Sequence, residues 1–166
     1  MFIRTAGARD LEAIRELLVE TWHDTYDAIY GRERVTEITD DWHSIAALKA
    51  RVDKPNSEFV VADDGTRICG MAFASLRDEG KTVMLHQLYV RPSEQGKGVG
   101  GLLLDEVEGA FPDAATVRLE VEEANAGAVA FYLAQGFSQV GRTAHCGKKE
   151  SGIPALVYER PIVWAD

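Results

Sequence analysis

Residues 89–104 read Tyr-Val-Arg-Pro-Ser-Glu-Gln-Gly-Lys-Gly-Val-Gly-Gly-Leu-Leu-Leu. An apolar run over residues 83–90 leads into a turn at Arg91-Pro92, and the three leucines open a helical pattern, so the order strand, glycine loop, helix is predicted. Glycines leave backbone N–H groups uncovered, and the helix adds the positive end of its dipole. The four glycines are Gly96, Gly98, Gly100 and Gly101. This arrangement predicts a phosphate-binding loop.

Two other glycine-rich patterns compete for the same residues. A P-loop needs Lys followed by Ser or Thr, whereas Lys97 is followed by Gly98, so that pattern is excluded. The dinucleotide fingerprint fits formally at Gly96, Gly98 and Gly101, and Glu120 lies about 20 residues further on. Context argues against it, because a proline-containing segment separates the strand from the first glycine and little chain follows for a second mononucleotide half. A glycine-rich turn that binds no ligand is the remaining alternative.

A third pattern combines the loop with a second block downstream. Gln95-x-x-Gly98-x-Gly100 after a strand ending Leu-Tyr-Val resembles the acyl-CoA pyrophosphate loop of the GCN5-related N-acetyltransferase (GNAT) family. The second block, which resembles another conserved block of that family, consists of Leu119-Glu120-Val121, Asn125, Ala128, Phe131-Tyr132 and Gly136-Phe137. The two blocks have the family's order and separation. The resemblance is close over residues 80–140, and residues 1–79 match only in element order.

The resemblance implies acetyl-CoA as co-substrate and direct transfer of its acetyl group to a primary amine of a small molecule or peptide. It also implies that the strand ending at Val90 splays from the strand at residues 116–121, which frees backbone groups for the pantetheine amides. The residues expected to bind the co-substrate are Leu88, Tyr89, Val90, Gln95, Gly96, Lys97, Gly98, Val99, Gly100, Gly101, Asn125 and Tyr132. A non-catalytic acyl-CoA-binding module and a nucleotide-dependent oxidoreductase are the competing functions.

Three residues are candidates for the chemistry of transfer. Tyr132 matches the tyrosine of the family's Phe-Tyr pair and is the expected general acid, with a core tyrosine as the alternative. Glu120 and His86 are both candidate bases, and ordered water is a third possibility. Asn125 matches an asparagine near the pantetheine, and a helix N-cap role is compatible with that position.

The acceptor is expected to bind near the N-terminal helices and the last hairpin. The aromatic-rich region there contains Trp22, His23, Tyr26, Tyr30 and Trp42, beside Asp24 and Asp27. Core packing is the competing interpretation for Trp22 and Trp42. A small amine and a peptide N-terminus are both compatible with this wall.

Composition limits the class of protein. The 166 residues, 46% hydrophobic and 27% charged, predict one domain over 1–166 without a membrane helix. The net charge of −9 argues against nucleic acid as a partner and is compatible with a cationic acceptor. No secretory pattern is visible, so a cytoplasmic location is expected. Cys69 and Cys146 lack metal-site spacing, so no metal is predicted. The sequence is also compatible with a homodimer.

The periodicities predict an α/β (α+β) fold of order β-α-α-β-β-β-α-β-α-β-β. This is a mixed, mostly antiparallel central sheet of about seven strands with about four helices on its faces. The predicted strands cover residues 2–5, 58–62, 67–75, 80–90, 116–121, 137–143 and 155–160. The predicted helices run from Asp10 to the high twenties, over 40–51, from Leu102 to Gly109 and over 125–135. Asp10 is the expected N-cap of the first helix.

Overall fold

The computed structural model describes residues 1–146 and 151–163, which form a mixed α/β structure. Its strands are β1 (Phe2–Thr5), β2 (Ser57–Asp63), β3 (Ile68–Arg77), β4 (Thr82–Val90), β5 (Thr116–Val121), β6 (Ser138–Thr143) and β7 (Ala155–Pro161). Its helices are α1 (Leu11–Tyr30), α2 (Arg32–Trp42), α3 (Ile45–Val52), α4 (Val99–Gly109) and α5 (Ala126–Ala134). Short 3₁₀ turns lie at Ala8–Asp10, Asp78–Gly80 and Pro92–Glu94.

The seven strands form one sheet in the order β1-β2-β3-β4-β5-β7-β6. β1 is antiparallel to β2, and β7 is antiparallel to both β5 and β6. β4 runs parallel to β5, from the pair Thr82 and Thr116 to the pair Leu85 and Leu119. The predicted mixed, mostly antiparallel sheet is confirmed. β4 continues to Val90, beyond its last pair with β5.

The helices differ from the prediction in number and in two sets of bounds. α4 begins at Val99 rather than at Leu102, so Gly100 and Gly101 lie in its first turn. The helix predicted over 40–51 is in fact two helices, because Ser44 is extended and its hydroxyl accepts a 3.1 Å hydrogen bond from the Ala47 N–H to start α3. The preceding α2 was not predicted. Its buried Val35 and Ile38 are spaced by one helical turn among polar residues, which gives a weak local signal. The described helices therefore number five rather than about four, in the order β-α-α-α-β-β-β-α-β-α-β-β.

Asp10 stands just before α1, as predicted, but its carboxylate does not cap the first turn of that helix. It accepts a 2.8 Å hydrogen bond from the Gly7 N–H and pairs with the Arg4 guanidinium at 2.9 Å. The hydrogen bond from Arg4 is the main reason that the pKa of Asp10 lies below its ordinary value. The acidic residue therefore ties β1 to the chain before α1.

The chain divides into two compact units. The first unit comprises residues 1–73 and 87–110, and the second comprises residues 74–86 and 111–166. The first unit's core includes the fully buried side chains of Ile14, Leu17, Leu18, Leu48, Val61 and Met71. The second unit's core includes Val83, Leu85, Val117, Leu119, Phe137, Leu156 and Tyr158. One domain over 1–166 stays a prediction.

None of the described helices combines the length and the apolar character that crossing a bilayer requires.

Candidate functional site

The glycine loop, by which we mean residues 95–101 including the first turn of α4, follows β4 in the first unit. The Gln95 side-chain amide donates a 3.0 Å hydrogen bond to the Val90 carbonyl, which ties the loop to the strand end. Gly96 and Gly98 have φ values of 78° and 84°, a left-handed conformation that glycine adopts without steric cost. A Cβ at either position would meet no heavy atom within 4 Å, so both residues face open space.

Backbone groups at the start of α4 face the same loop. Gly98 occupies the N-cap position without a side chain that could accept from the first-turn N–H groups. Val99 is buried and anchors the start of the helix, while Gly100 and Gly101 are half-buried. These donors, the dipole and the open side at Gly96 and Gly98 fit an anionic group such as a pyrophosphate.

Charged side chains beside the loop are linked by a single carboxylate. Glu94 pairs with Arg67 at 3.2 Å and with Lys97 at 3.3 Å. The hydrogen bond from Arg67, followed by that from Lys97, lowers the pKa of Glu94 below its ordinary value. Lys97 is the most exposed of these three side chains at 62%, so its ammonium group is available to an anion at the loop.

Gly70 is a residue of this region that the sequence analysis missed. A Cβ on Gly70 would lie 3.0 Å from both the Leu103 Cδ1 atom and the Tyr89 carbonyl oxygen. Glycine therefore lets the first turns of α4 pack closely over β3. An isolated glycine inside a strand pattern is the signal that could have indicated this close approach.

Leu88, Tyr89 and Val90 are half-buried residues of β4. They lie three to five residues beyond Leu85, the last residue of β4 in the register with β5. Backbone groups in this segment are thus not consumed by the described β4–β5 pairs, and a bound chain could use them in the manner of an added strand.

Tyr132 lies on α5 in the second unit, with its ring against Phe131 and Phe137 at centroid distances of 5.1 and 5.5 Å. Burial raises its pKa above the ordinary value, so the phenol stays protonated at neutral pH. Within the described residues it has no hydrogen-bond partner. Asn125 caps α5, since its side-chain oxygen accepts from the Ala128 N–H at 3.2 Å.

Glu120, the first candidate base, is a half-buried residue of β5 that pairs with Val157 of β7. Its carboxylate forms a side-chain hydrogen bond with the Cys146 thiol. Burial, together with the nearby carboxylates of Glu120 and Glu122, raises the pKa of Cys146 to about 12, so the thiol is the donor. Sequence reasoning missed this contact because Cys146 is distant along the chain.

His86, the second candidate base, lies on β4 in the second unit. Its Nε2 atom is 2.7 Å from the Ser75 hydroxyl oxygen on β3. Ser75 is buried and His86 half-buried. Ser75 therefore orients the imidazole, and no sequence motif indicated this contact.

Six rings of the first unit form what we term the aromatic cluster: Trp22, Tyr26, Tyr30, Trp42, His43 and Tyr89. The Trp22 ring lies at its centre, with centroid distances of 4.6 Å to Tyr26, 5.7 Å to Trp42 and to His43, and 6.4 Å to Tyr89. Trp22 is a core residue, as the competing interpretation held, whereas Trp42 is half-buried.

The two histidines of the N-terminal helices have different surroundings. His23, a predicted member of the aromatic wall, forms a 2.6 Å contact with Asp27 on its own helix. His43 is 1% exposed inside the aromatic cluster, so it is not a surface residue. Burial, then Arg51 and Arg15, lowers the pKa of His43 to about 3, so the ring is neutral at physiological pH.

No cluster of metal-ligating side chains occurs within residues 1–146 and 151–163, and Cys69 and Cys146 are free thiols.

The chain is similar in sequence to known acetyltransferases. The sequence model of the acetyltransferase (GNAT) family matches residues 11–137. An N-alpha-acetyltransferase RimI of Mycobacterium tuberculosis is 32% identical over 108 residues, covering 63% of this chain and 66% of that protein. A peptidyl-lysine N-acetyltransferase YiaC of Escherichia coli is 30% identical over 165 residues, covering 97% of each chain. A spermidine N(1)-acetyltransferase of Thermoplasma acidophilum is 28% identical over 141 residues, covering 81% and 86%.

Solved structures share the fold. The PaiA N-acetyltransferase from Thermoplasma acidophilum, in complex with coenzyme A, superposes with a TM-score of 0.85 at 23% identity, covering 97% of this chain and 98% of that one. The ribosomal-protein-S18-alanine N-acetyltransferase from Escherichia coli gives a TM-score of 0.71 at 18% identity, covering 99% and 96%.

Proposed function

The chain belongs to the acetyltransferase (GNAT) family and is an acetyl-CoA-dependent N-acetyltransferase, and we propose that it acetylates a primary amine of a peptide or small molecule by direct attack. The single observation that carries the assignment of the co-substrate site is the glycine loop. Its open glycines, Gly96 and Gly98, lead directly into α4, whose cap position holds no competing side chain.

The loop backbone binds the pyrophosphate of acetyl-CoA in this proposal. The N–H groups of Val99, Gly100 and Gly101 donate to phosphate oxygens, and Lys97 adds positive charge. The pantetheine runs along β4 and hydrogen-bonds the backbone of Leu88–Val90, whose position beyond the β4–β5 pairs supports this role. Asn125 contributes to pantetheine binding in addition to capping α5.

Transfer requires the amine to attack as a neutral nucleophile. Its nitrogen forms a bond to the thioester carbonyl carbon, the carbon–sulfur bond of acetyl-CoA breaks, and the departing thiolate takes a proton. We assign that proton to Tyr132, because burial keeps its phenol protonated and no described residue competes for its hydrogen bond. The products are the N-acetylated amine and free coenzyme A.

The amine proton goes to Glu120, to His86 or to ordered water. The contact of Glu120 with the Cys146 thiol and that of His86 with Ser75 support an oriented side chain in each case. Glu120→Gln and His86→Gln separate the three possibilities. The variant that removes the base loses the acidic limb of the pH–rate profile, and water is indicated if both variants retain it.

Calorimetry with acetyl-CoA, followed by an assay of free thiol release, tests the function. The acceptor panel contains peptides with a free N-terminus, lysine peptides and polyamines. Absence of binding at millimolar acetyl-CoA would refute the proposal. Binding without turnover on any amine would instead support the non-catalytic acyl-CoA-binding module.

Location and assembly are proposed on separate observations. Two free cysteines support a reducing compartment such as the cytoplasm. β6 is an edge strand with Val140 55% exposed, which supports a homodimer because an uncovered strand edge can pair with a second copy. Light scattering that gives the mass of one chain at micromolar concentration would exclude the dimer.

A further inference from the structure

Two buried N–H groups of the aromatic cluster have no hydrogen-bond partner within the described residues. These are the Trp22 Nε1 and His43 Nε2 atoms, on side chains that are 2% and 1% exposed. The Gln87 side-chain oxygen on β4 is likewise buried and without a partner in that part of the chain. Buried polar groups are nearly always paired, so a group outside the described contacts is indicated.

The hydrogen on His43 can be assigned from its neighbour. The Arg51 Nη1 atom lies 3.2 Å from His43 Nδ1. A guanidinium only donates, so Nδ1 of the neutral ring accepts and Nε2 carries the hydrogen. His43 Nε2 and Trp22 Nε1 are therefore both donors, on rings whose centroids lie 5.7 Å apart.

The charge around these donors opposes a cation. Arg51 hydrogen-bonds the Trp42 carbonyl and His43, which are neutral acceptors. No carboxylate of the described residues lies within ion-pair distance of Arg51. An oxygen that accepts hydrogen bonds is favoured beside this guanidinium, whereas an ammonium group is repelled.

The cluster is next to the strand segment assigned to the co-substrate. The Tyr89 ring of β4 lies 6.4 Å from both the Trp22 and the His43 rings. Gln87 and Tyr89 are two residues apart on the same strand, so their side chains point to the same face. One unpaired acceptor and two unpaired donors thus belong to one side of the first unit.

Resting on the proposed function, we propose that the aromatic cluster recognises a peptide group of the acceptor. Trp22 and His43 donate to its carbonyl oxygen, and the Gln87 oxygen accepts from its N–H. Since both donors are closed off from solvent, this binding requires the half-buried Trp42 ring, which lies 5.7 Å from the Trp22 ring, to turn aside. The substrate class is accordingly an amine that carries an amide, and polyamines are poor acceptors.

The test compares trialanine amide with spermidine on the wild-type enzyme and on two variants. Trp22→Phe keeps a ring and removes one donor, while His43→Asn can keep an acceptor for Arg51 and removes the other. We expect each variant to lower kcat/KM for trialanine amide about two- to tenfold, the range for one hydrogen bond. Any loss of kcat/KM for spermidine should be smaller than the loss for trialanine amide, so that the ratio of the two values falls in each variant.

Phe59→Leu is the control, because it alters a buried ring of the same unit outside the cluster and should affect both acceptors equally. An equal loss of kcat/KM for both acceptors in the two test variants would overturn the inference. It would indicate that the Trp22 and His43 N–H groups face only neighbouring rings. For each acceptor, the kcat/KM of the variant is divided by that of the wild type. Because both values refer to the same amine, the pKa of that amine does not affect the ratio.

The wild-type enzyme alone supplies a second measurement if a variant fails to fold. Its pH-independent kcat/KM should be at least about tenfold higher for trialanine amide than for spermidine, as expected for two to three hydrogen bonds. Equal or better use of spermidine overturns this inference and leaves the acetyltransferase function intact. Failure to bind acetyl-CoA in calorimetry would instead contradict the proposed function itself.

Discussion

The glycine loop and the aromatic cluster belong to the same compact unit and offer ligands different things. The loop is a contiguous segment of seven residues, exposed for the most part, whose donors are backbone N–H groups. The cluster assembles side chains from α1, α2, the residue after α2 and β4, and its central rings are buried. A site made of backbone is encoded locally, whereas a site made of distant side chains is encoded only in the fold.

Substitutions in the glycine loop should therefore change mainly ligand affinity, whereas substitutions in the aromatic cluster should also change the free energy of unfolding. A side chain added at Gly96 or Gly98 meets open space, so it changes what the loop can bind more than how the chain packs. A change at Trp22 or His43 alters a packed interior, so it changes the free energy of unfolding as well as any bound group.

The largest effect is expected from Gly98→Glu. The new side chain places bulk and negative charge against the pyrophosphate, and the φ of 84° adds backbone strain. We expect acetyl-CoA affinity to fall by at least about 100-fold, measured by calorimetry, which is about the loss of two charge-assisted hydrogen bonds. Gly109→Glu, in open space on the same helix, is the control and should bind normally. Retained affinity in Gly98→Glu would remove the loop from the co-substrate site.

Tyr132→Phe tests whether a buried side chain can act in the chemistry rather than only in packing. We expect kcat to fall roughly 10- to 1,000-fold with little change in acetyl-CoA affinity, because the general acid is lost while the ring remains. Tyr158→Phe alters another buried tyrosine of the second unit and serves as the control in the same steady-state assay. Unchanged turnover would assign Tyr132 to packing.

The buried, neutral ring of His43 in the aromatic cluster should make the folded protein less stable as the pH falls. Its folded pKa of about 3 lies below the ordinary 6.5, so only the unfolded chain gains a proton as the pH falls from 6.5 towards 3. Between pH 6.5 and 5 this lowers the free energy of unfolding by about 2 kcal/mol. Urea denaturation at both values should show that loss in the wild type and a smaller one in His43→Asn. Equal losses would mean that the ring is accessible to protons.

Gln95→Ala should have the smallest effect. The substitution removes one exposed hydrogen bond, from the Gln95 side chain to the Val90 carbonyl. The loop is then held less firmly to the end of β4, but its backbone N–H donors remain. We expect acetyl-CoA affinity to fall about two- to tenfold in calorimetry. Gln139→Ala removes a similar amide contact to the Gly141 carbonyl on β6 and provides the control. A loss as large as that of Gly98→Glu would show that side chains, and not backbone, dominate the loop.

Much of the fold could be predicted because its signals are local. Alternation and helical spacing predicted all seven strands and four helical regions, and the mixed sheet, the family, the enzyme class and the co-substrate are confirmed. The break at Ser44 and the separate α2 were missed, since one hydroxyl cap and two apolar residues among polar ones leave little trace in a periodicity.

The sequence by itself determined the strand, glycine loop and helix, because the φ of glycine and the order of apolar residues are properties of neighbouring positions. Only the tertiary structure decided that Cys146 contacts Glu120, that Ser75 orients His86, and that Arg51 sets the hydrogen on His43. Each of those contacts joins separate elements of structure. Their geometry depends on how helices and strands pack, which no local pattern of residues specifies.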